Sequence, residues 1–122
     1  MFSILIPTFN NLSYLKLCLK SIEKNSHYKH QILIHVNEGS DGTLDFVRNL
    51  PYNHTFSEKN IGMPKALNKI SKLATNNYII SSHDDFYYCP GWDEEFFKEI
   101  KLMDHNNFYL SGTTIGATNS YC

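Results

Sequence analysis

The sequence predicts an α/β fold, three layers deep, with a mostly parallel sheet between helices. Two observations carry this. Short apolar runs rich in β-formers alternate along the chain with longer stretches of helical spacing. The first run, FSILI at 2–6, is apolar at nearly every position, as a strand covered on both faces must be.

The elements follow in order. After FSILI, residues 12–24 repeat at helical spacing. Leu12, Leu15, Leu19 and Ile22 share one face, lysines occupy the other, and Asn10 or Asn11 is placed to cap the start. QILIHV at 31–36 is a second strand, with His35 expected to be structural. GSDGT at 39–43 is a turn, where glycine permits backbone that other residues resist. A short helix over 44–50 ends at Pro51, and 54–57 is a brief third strand. Residues 63–74 form a helix striped by Met63, Leu67, Ile70 and Ala74, with Pro64 in the first turn, where a missing N–H costs nothing. A fourth strand spans 77–81. A helix over 91–103 turns Trp92, Phe96 and Ile100 inward, and 108–111 is a last strand. Strands alternating with helices imply right-handed crossovers between parallel strands.

Composition bounds the function. With 122 residues and 42% hydrophobic content, the chain suits one globular domain. A net charge of −1 leaves no electrostatic footprint for nucleic acid. No apolar run is long enough to span a bilayer. MFSILIPTFNN lacks the basic start and the uninterrupted apolar stretch of a secretory leader. Three cysteines, Cys18, Cys89 and Cys122, are an odd count without CxxC spacing, which favours reduced thiols and a cytoplasmic setting.

Parallel α/β sheets bind ligands beyond the carboxyl ends of their strands. Three strand ends here carry unusual polar chemistry: PTFNN after the first, NEGSDGT after the second, HDDFYYCPGW after the fourth. Adjacent carboxylates at an apolar strand end, Asp84 and Asp85, repel each other unless something neutralises them. A divalent cation such as Mg²⁺ or Mn²⁺ does so with oxygen ligands, completing its shell with diphosphate oxygens. The plainer alternative is a solvated turn or a helix cap. Thr8, Phe9 and Asn10 offer a hydroxyl, a ring and an amide that suit a base and ribose; alternatively they stop a strand and cap a helix. Asn37 or Glu38 can meet a nucleobase. No GxGxxG follows the first strand, which argues against a dinucleotide-binding oxidoreductase. The acid pair follows the fourth strand, which argues against a phospho-acceptor or flavodoxin-like domain.

These pieces resemble the family 2 glycosyltransferases, with their Rossmann-like GT-A nucleotide-diphospho-sugar transferase fold. ILIPTFNN resembles the opening strand and its tip, and ILIHVNEGSDGT the second strand and its acidic turn. NIGMPKALNKISKLATNNYIISSHDDFYYCPGW resembles the Asn-x-Gly helix, the fourth strand and the aspartate-rich metal motif. The resemblance covers residues 2 to about 112. It implies transfer of a sugar from a nucleotide-diphospho-sugar donor to a carbohydrate or lipid-linked acceptor, with Mn²⁺ or Mg²⁺ and inversion at the anomeric carbon. The residues it assigns to the donor are Pro7, Thr8, Phe9, Asn10, Asn37, Glu38, Asn60, Gly62, Lys65 and Asp84, with Asp85 as metal ligand. Two departures stand out. Asn37 replaces a common aspartate, and His83-Asp84-Asp85 replaces a triplet with acids at both ends. His83 is expected to pack or touch ribose rather than bind metal.

An inverting transferase needs a general base, which in the resembled enzymes lies well downstream of the metal motif. This chain ends at Cys122, so a truncated GT-A domain lacking its acceptor-binding half is expected, over residues 1–122. Glu94, Glu95, Glu99 and Asp104 read as the exposed face of a helix, and the base is left unassigned. A non-catalytic nucleotide-sugar-binding domain is the alternative function. A homodimer covering the sheet edge and a peripheral membrane association are both compatible with the resemblance.

Overall fold

The structure, a computed structural model, describes residues 1–112. Its elements are β1 (Phe2–Phe9), α1 (Leu12–Asn25), β2 (Gln31–Asn37), α2 (Thr43–Arg48), β3 (Asn53–Ser57), α3 (Met63–Ser71), β4 (Tyr78–Ser81) and α4 (Trp92–Leu102). The four strands form one parallel sheet in the order β3-β2-β1-β4.

The sheet divides the core in two. Phe2, Ile4 and Ile6 of β1 and Ile32, Ile34 and Val36 of β2 pack against Leu15, Leu19 and Ile22 of α1, Val47 of α2 and Trp92 of α4. On the other face Leu5 and Leu33 meet Ile70 of α3, with Leu67 and Ala74 beside it. This is the three-layer arrangement expected. Fully buried Ile4, Leu15, Leu33, Ile34 and Ile70 each stabilise the fold by about 1.5–3 kcal/mol over leaving them in water.

Register decides where the polar loops end up. Phe9 lies level with Asn37, and Asn37 with Ser57, so three strand tips are flush. β4 stops lower, with Ser81 level with Leu5. The chain therefore climbs past the end of β4, and Ser82–Asp84 run beside Pro7 and Thr8 of β1.

β1 runs further than Ile6 because Pro7 is tolerated at its position. The Leu5 carbonyl accepts from Ser82 N–H at 2.9 Å, so odd-numbered residues of β1 turn their backbone polar groups toward β4. Pro7 has no N–H to offer, but β4 has already ended at its level.

The expected strand at 108–111 does not form. The Phe108 ring lies tilted 5.9 Å from that of Tyr78, while Tyr109 is 89% exposed, and no backbone ladder joins this segment to β4. High β propensity reflects side-chain packing, and one ring contact supplies it here without strand pairing.

The α1–β2 connection is pinned by a carboxylate that the sequence reading passed over. Asp93, fully buried in the first turn of α4, accepts from the backbone N–H groups of His27 and Tyr28, both at 2.9 Å. It also accepts from His30 Nε2 at 2.8 Å. The other His30 nitrogen, Nδ1, accepts from Phe2 N–H at 3.1 Å, so the ring is neutral with its proton on Nε2. Burial pushes the Asp93 carboxyl up, but the Tyr28, His27 and His30 hydrogen bonds outweigh it and the net shift is down. Burial holds His30 below its usual range despite Asp93. His35, as expected, is structural. It is buried between Thr55 Oγ1 at 2.7 Å and Ser57 Oγ at 3.0 Å, and burial, reinforced by Lys69, lowers it against the pull of Asn37.

These two rings give stability a pH dependence. Both titrate below the ordinary 6.5 when folded. Below pH 6.5 the unfolded chain therefore binds more protons than the folded one. Their contribution is complete above that value and declines as pH falls through it toward the folded values. The urea midpoint at pH 5.0 is expected to lie below that at pH 7.5; equal midpoints would contradict the buried neutral rings.

Of the cysteines, Cys18 is a buried free thiol, pushed up to about 12 by burial and then by Asp84 and Asp85. Cys89 is disulfide-bonded, which corrects the expectation of a reduced thiol there. Spacing alone does not disclose disulfide pairing.

Candidate functional site

The site grows from the strand tips. Two non-glycine residues sit there in the left-handed region, Asn10 at φ 43° and Glu38 at φ 60°. Such backbone costs on the order of 1–3 kcal/mol and collects at functional sites. Asn10 Nδ2 donates to Glu38 Oε2, tying the tip of β1 to that of β2. Asn10 Oδ1 is buried without a hydrogen-bond partner, an acceptor left unsatisfied. Gly39, next in the turn, must be glycine. Its φ is +70°, and a Cβ there would stand 2.6 Å from Val36 Cγ1.

Asp41 organises the turn. Its Oδ1 accepts from Thr43 N–H at 3.1 Å and Thr43 Oγ1 at 2.6 Å, starting α2. Its Oδ2 accepts from Leu12 N–H at 3.2 Å, in the first turn of α1. Burial raises the Asp41 carboxyl, but the Thr43 and Leu12 donors outweigh it and lower it. The helix cap expected from Asn10 or Asn11 thus comes from Asp41, because both asparagine side chains are engaged elsewhere.

Asn11 instead reaches Asp84. Asp84 Oδ1 accepts from Asn11 Nδ2 at 3.2 Å, and Oδ2 from Thr8 Oγ1 at 2.7 Å. Residues more than seventy apart in sequence are so joined, and the β1 tip is closed against the loop after β4. That loop is braced along α1. Tyr88 N–H donates to Ser21 Oγ at 2.9 Å, Asn25 Nδ2 to the Tyr88 carbonyl at 2.7 Å, and Trp92 Nε1 to Ser26 Oγ at 3.0 Å. The Tyr88 hydroxyl donates to buried Ser82 at 2.7 Å, and burial pushes that phenol up.

On the far side, Asn37 fixes the β3–α3 connection. Its Oδ1 accepts from Ile61 N–H at 3.0 Å and from Ser57 Oγ at 3.1 Å. Asn60 Oδ1 accepts from Gly62 N–H at 2.9 Å, a local turn that leads into α3.

Between these walls lies an open cleft of about 300 Å³. Pro7, Thr8, Phe9, Asn37, Asn60, Gly62 and Asp84, all expected in the site, line it, and Asn11, Met63 and His83 join them. Asn10, Glu38, Lys65 and Asp85 do not line it. Asn10 and Glu38 form the β1–β2 tip, Lys65 is exposed on α3, and Asp85 is exposed next to Asp84. His83 sets its ring 4.7 Å from that of Phe86 and accepts at its carbonyl from Cys18 Sγ at 3.6 Å. Asn11 and Asp41 were not among the expected site residues. An Asx turn at Asp41-Gly42-Thr43 was the available signal for the second. Among the described residues, no three His, Cys, Asp or Glu side chains stand together as a metal site.

A family model described as glycosyl transferase family 2 matches residues 3–119. The chain belongs to that family. Relatives include an uncharacterized glycosyltransferase, YwdF, of Bacillus subtilis, 31% identical over 105 residues, 84% of this chain and 39% of the relative. Another is a dolichyl N-acetyl-alpha-D-glucosaminyl phosphate 3-beta-D-2,3-diacetamido-2,3-dideoxy-beta-D-glucuronosyltransferase of Methanococcus voltae, 32% identical over 91 residues, 73% of this chain and 28% of the relative. The chain thus spans less than two fifths of each of these relatives.

Solved structures show the same GT-A fold. Residues 1–349 of S. aureus TarS in complex with UDP superpose with a TM-score of 0.70 at 23% identity, covering 82% of this chain and 32% of that one. The mannosyltransferase PcManGT of Pyrobaculum calidifontis, in complex with GDP-Man and Mn²⁺, superposes with a TM-score of 0.63 at 19% identity, over 69% of this chain and 27% of that one. Among the described residues, no helix is long and apolar enough to cross a membrane.

Proposed function

We propose that the cleft holds the nucleoside diphosphate of a nucleotide-diphospho-sugar and that the chain serves in transferring the sugar to an acceptor hydroxyl, with inversion. The observation that carries this is the closure of Thr8 and Asn11 onto Asp84, which brings the first and fourth strand ends to one cleft. In the reaction the acceptor oxygen bonds to the anomeric carbon while the bond to diphosphate breaks; the diphosphate leaves with the electron pair, and the hydroxyl proton passes to a base not assigned among the described residues.

The residues present fit a Mn²⁺ or Mg²⁺ ion. Such ions use one or two carboxylates and complete their shell with phosphate oxygens and water. Asp84 is held by Thr8 and Asn11, and Asp85, exposed next to it, would be the carboxylate the ion uses. When bound, the ion would offset charge gathering on the leaving diphosphate. Lys65, exposed on α3, would neutralise phosphate only from outside the cleft. No base is assigned. Glu95 pairs with Lys98 at 2.6 Å, Glu94 lies 3.4 Å from His27, and Glu99 and Asp104 are exposed. The acceptor, carbohydrate or lipid-linked, is left to assay.

Calorimetry with UDP, GDP and dTDP, with and without Mn²⁺, tests the reading. Mn²⁺ is expected to tighten binding by at least about tenfold, the scale of one charge-assisted ligand interaction. Asp85→Ala should erase that dependence. A metal effect untouched by Asp85→Ala would remove the aspartate from the role. Sugar transfer to a test acceptor then separates an enzyme from a domain that only binds.

A further inference from the structure

A second concavity shares no residue with the cleft. α1 and α2 cover the same face of the sheet, and between them runs a trough of about 430 Å³. Its walls are apolar: Leu17 and Leu19 of α1, Phe46 of α2, and Leu50 and Tyr52 on the way into β3. Its polar lining is small and charged, with Lys16, Lys20 and Glu23. Apolar hollows of about 300–1,000 Å³ with a few placed polar groups are the usual make-up of small-molecule sites.

Shape selects the occupant. The lining residues of α1 run from Lys16 to Glu23, roughly 10 Å of helix at about 1.5 Å per residue. The trough is two turns long and one gap between helices wide. A stable protein interface buries about 800 Å² on each side, far more than such a trough offers. A flat bilayer surface does not enter it, whereas a single aliphatic chain does. Charge selects the headgroup. Lys16 and Lys20 are four apart on α1, so their side chains are neighbours. Lys16 Nζ lies 5.1 Å from the centre of the Phe46 ring and therefore leans across the trough toward α2. Among the described residues neither ammonium has a carboxylate within ion-pair distance. Glu23, a turn further along and near Tyr52, repels an anion from that end. The head is thus drawn toward Lys16 and the tail toward Tyr52.

We propose that the trough between α1 and α2 is a binding site for a single-chain fatty carboxylate, its head on Lys16 and Lys20 and its chain over Leu19, Phe46 and Leu50. Burial of the chain supplies the affinity, and the two ammonium groups supply the preference for an anion. The site is independent of the nucleotide reading of the cleft.

Calorimetry on the full chain compares decanoate with decyltrimethylammonium, the same tail under opposite charge, both below their micellar concentrations. Decanoate is expected to bind at least about tenfold tighter, the worth of exchanging attraction for repulsion at two exposed ammonium groups. Octanoate and hexanoate should bind progressively more weakly, by roughly two- to fourfold per methylene removed. The double variant Lys16→Gln with Lys20→Gln keeps much of both stems and touches no cleft residue. With its fold verified by circular dichroism, it is expected to lose the preference for the anion and to bind nucleoside diphosphates as the wild-type chain does. No binding of decanoate, equal binding of the two charges, an affinity independent of chain length, or a preference unchanged in the double variant overturns the proposal. Capture by phosphatidylglycerol vesicles without binding of monomeric decanoate also overturns it, making the lysine row a membrane face instead.

Discussion

Asp93→Ala is expected to lower the free energy of unfolding by about 3–5 kcal/mol, the range seen when one partner of a buried polar cluster is removed. The carboxylate is fully buried and holds three groups from the α1–β2 connection: His27 N–H, Tyr28 N–H and His30 Nε2. Alanine leaves all three donors in the interior without an acceptor. His30 also carries the Phe2 N–H on its other nitrogen, so the loss reaches the first residue of β1. Domains of this size are stable by about 5–15 kcal/mol, so the loss would be roughly a fifth of the total or more. Urea denaturation reads the effect. A loss under about 1 kcal/mol, the worth of an ordinary hydrogen bond, would mean that water replaces the carboxylate and that the cluster is not a keystone.

Asp84→Ala is the corresponding functional variant. It is expected to weaken nucleotide binding by roughly 30- to 150-fold, from the 2–3 kcal/mol a charged hydrogen-bonding group is worth. Two effects combine. The carboxylate that lines the cleft is lost, and Thr8 and Asn11, which it holds at 2.7 and 3.2 Å, lose their partner. Thr8→Val separates them. It keeps the carboxylate and the methyl packing but removes one donor, and a loss of about tenfold or less is expected. Calorimetry on both variants, with thermal unfolding to confirm the fold, decides. Equal losses would assign the whole effect to the β1–β4 closure and none to the carboxylate as a contact.

The framework was legible in the sequence because hydrophobic periodicity reports burial directly. FSILI and QILIHV lie in the two central strands, and the helices begin within a residue or so of where spacing placed them. Boundaries that depend on neighbours were not legible. The apolar run ends at Ile6, yet β1 continues through Pro7, which is harmless where β4 has ended. The segment at 108–111 has strand composition and no ladder. The site was legible in part. Polar residues gathered at three strand ends, and register brought most of them to one cleft. Asp93 was missed because a helix beginning Trp-Asp-Glu-Glu looks like a solvated acidic first turn, and nothing local shows that one of three acids points inward. Asn11 was read as a cap because its partner, Asp84, is remote in sequence.

The bracing of the acidic loop along α1 has a consequence for how this protein tolerates change. Ser21 and Asn25 are small polar residues on the buried side of α1, where an aliphatic side chain would ordinarily be welcome, and Ser26 caps its C-terminal end. Here each one clasps the segment that delivers Asp84 and Asp85. Swapping any of them for valine or leucine would make the helix greasier and displace the acids it moors. Drift at these three positions is therefore constrained from a distance, and a random-mutagenesis screen for lost ligand capture should recover them alongside the aspartates themselves.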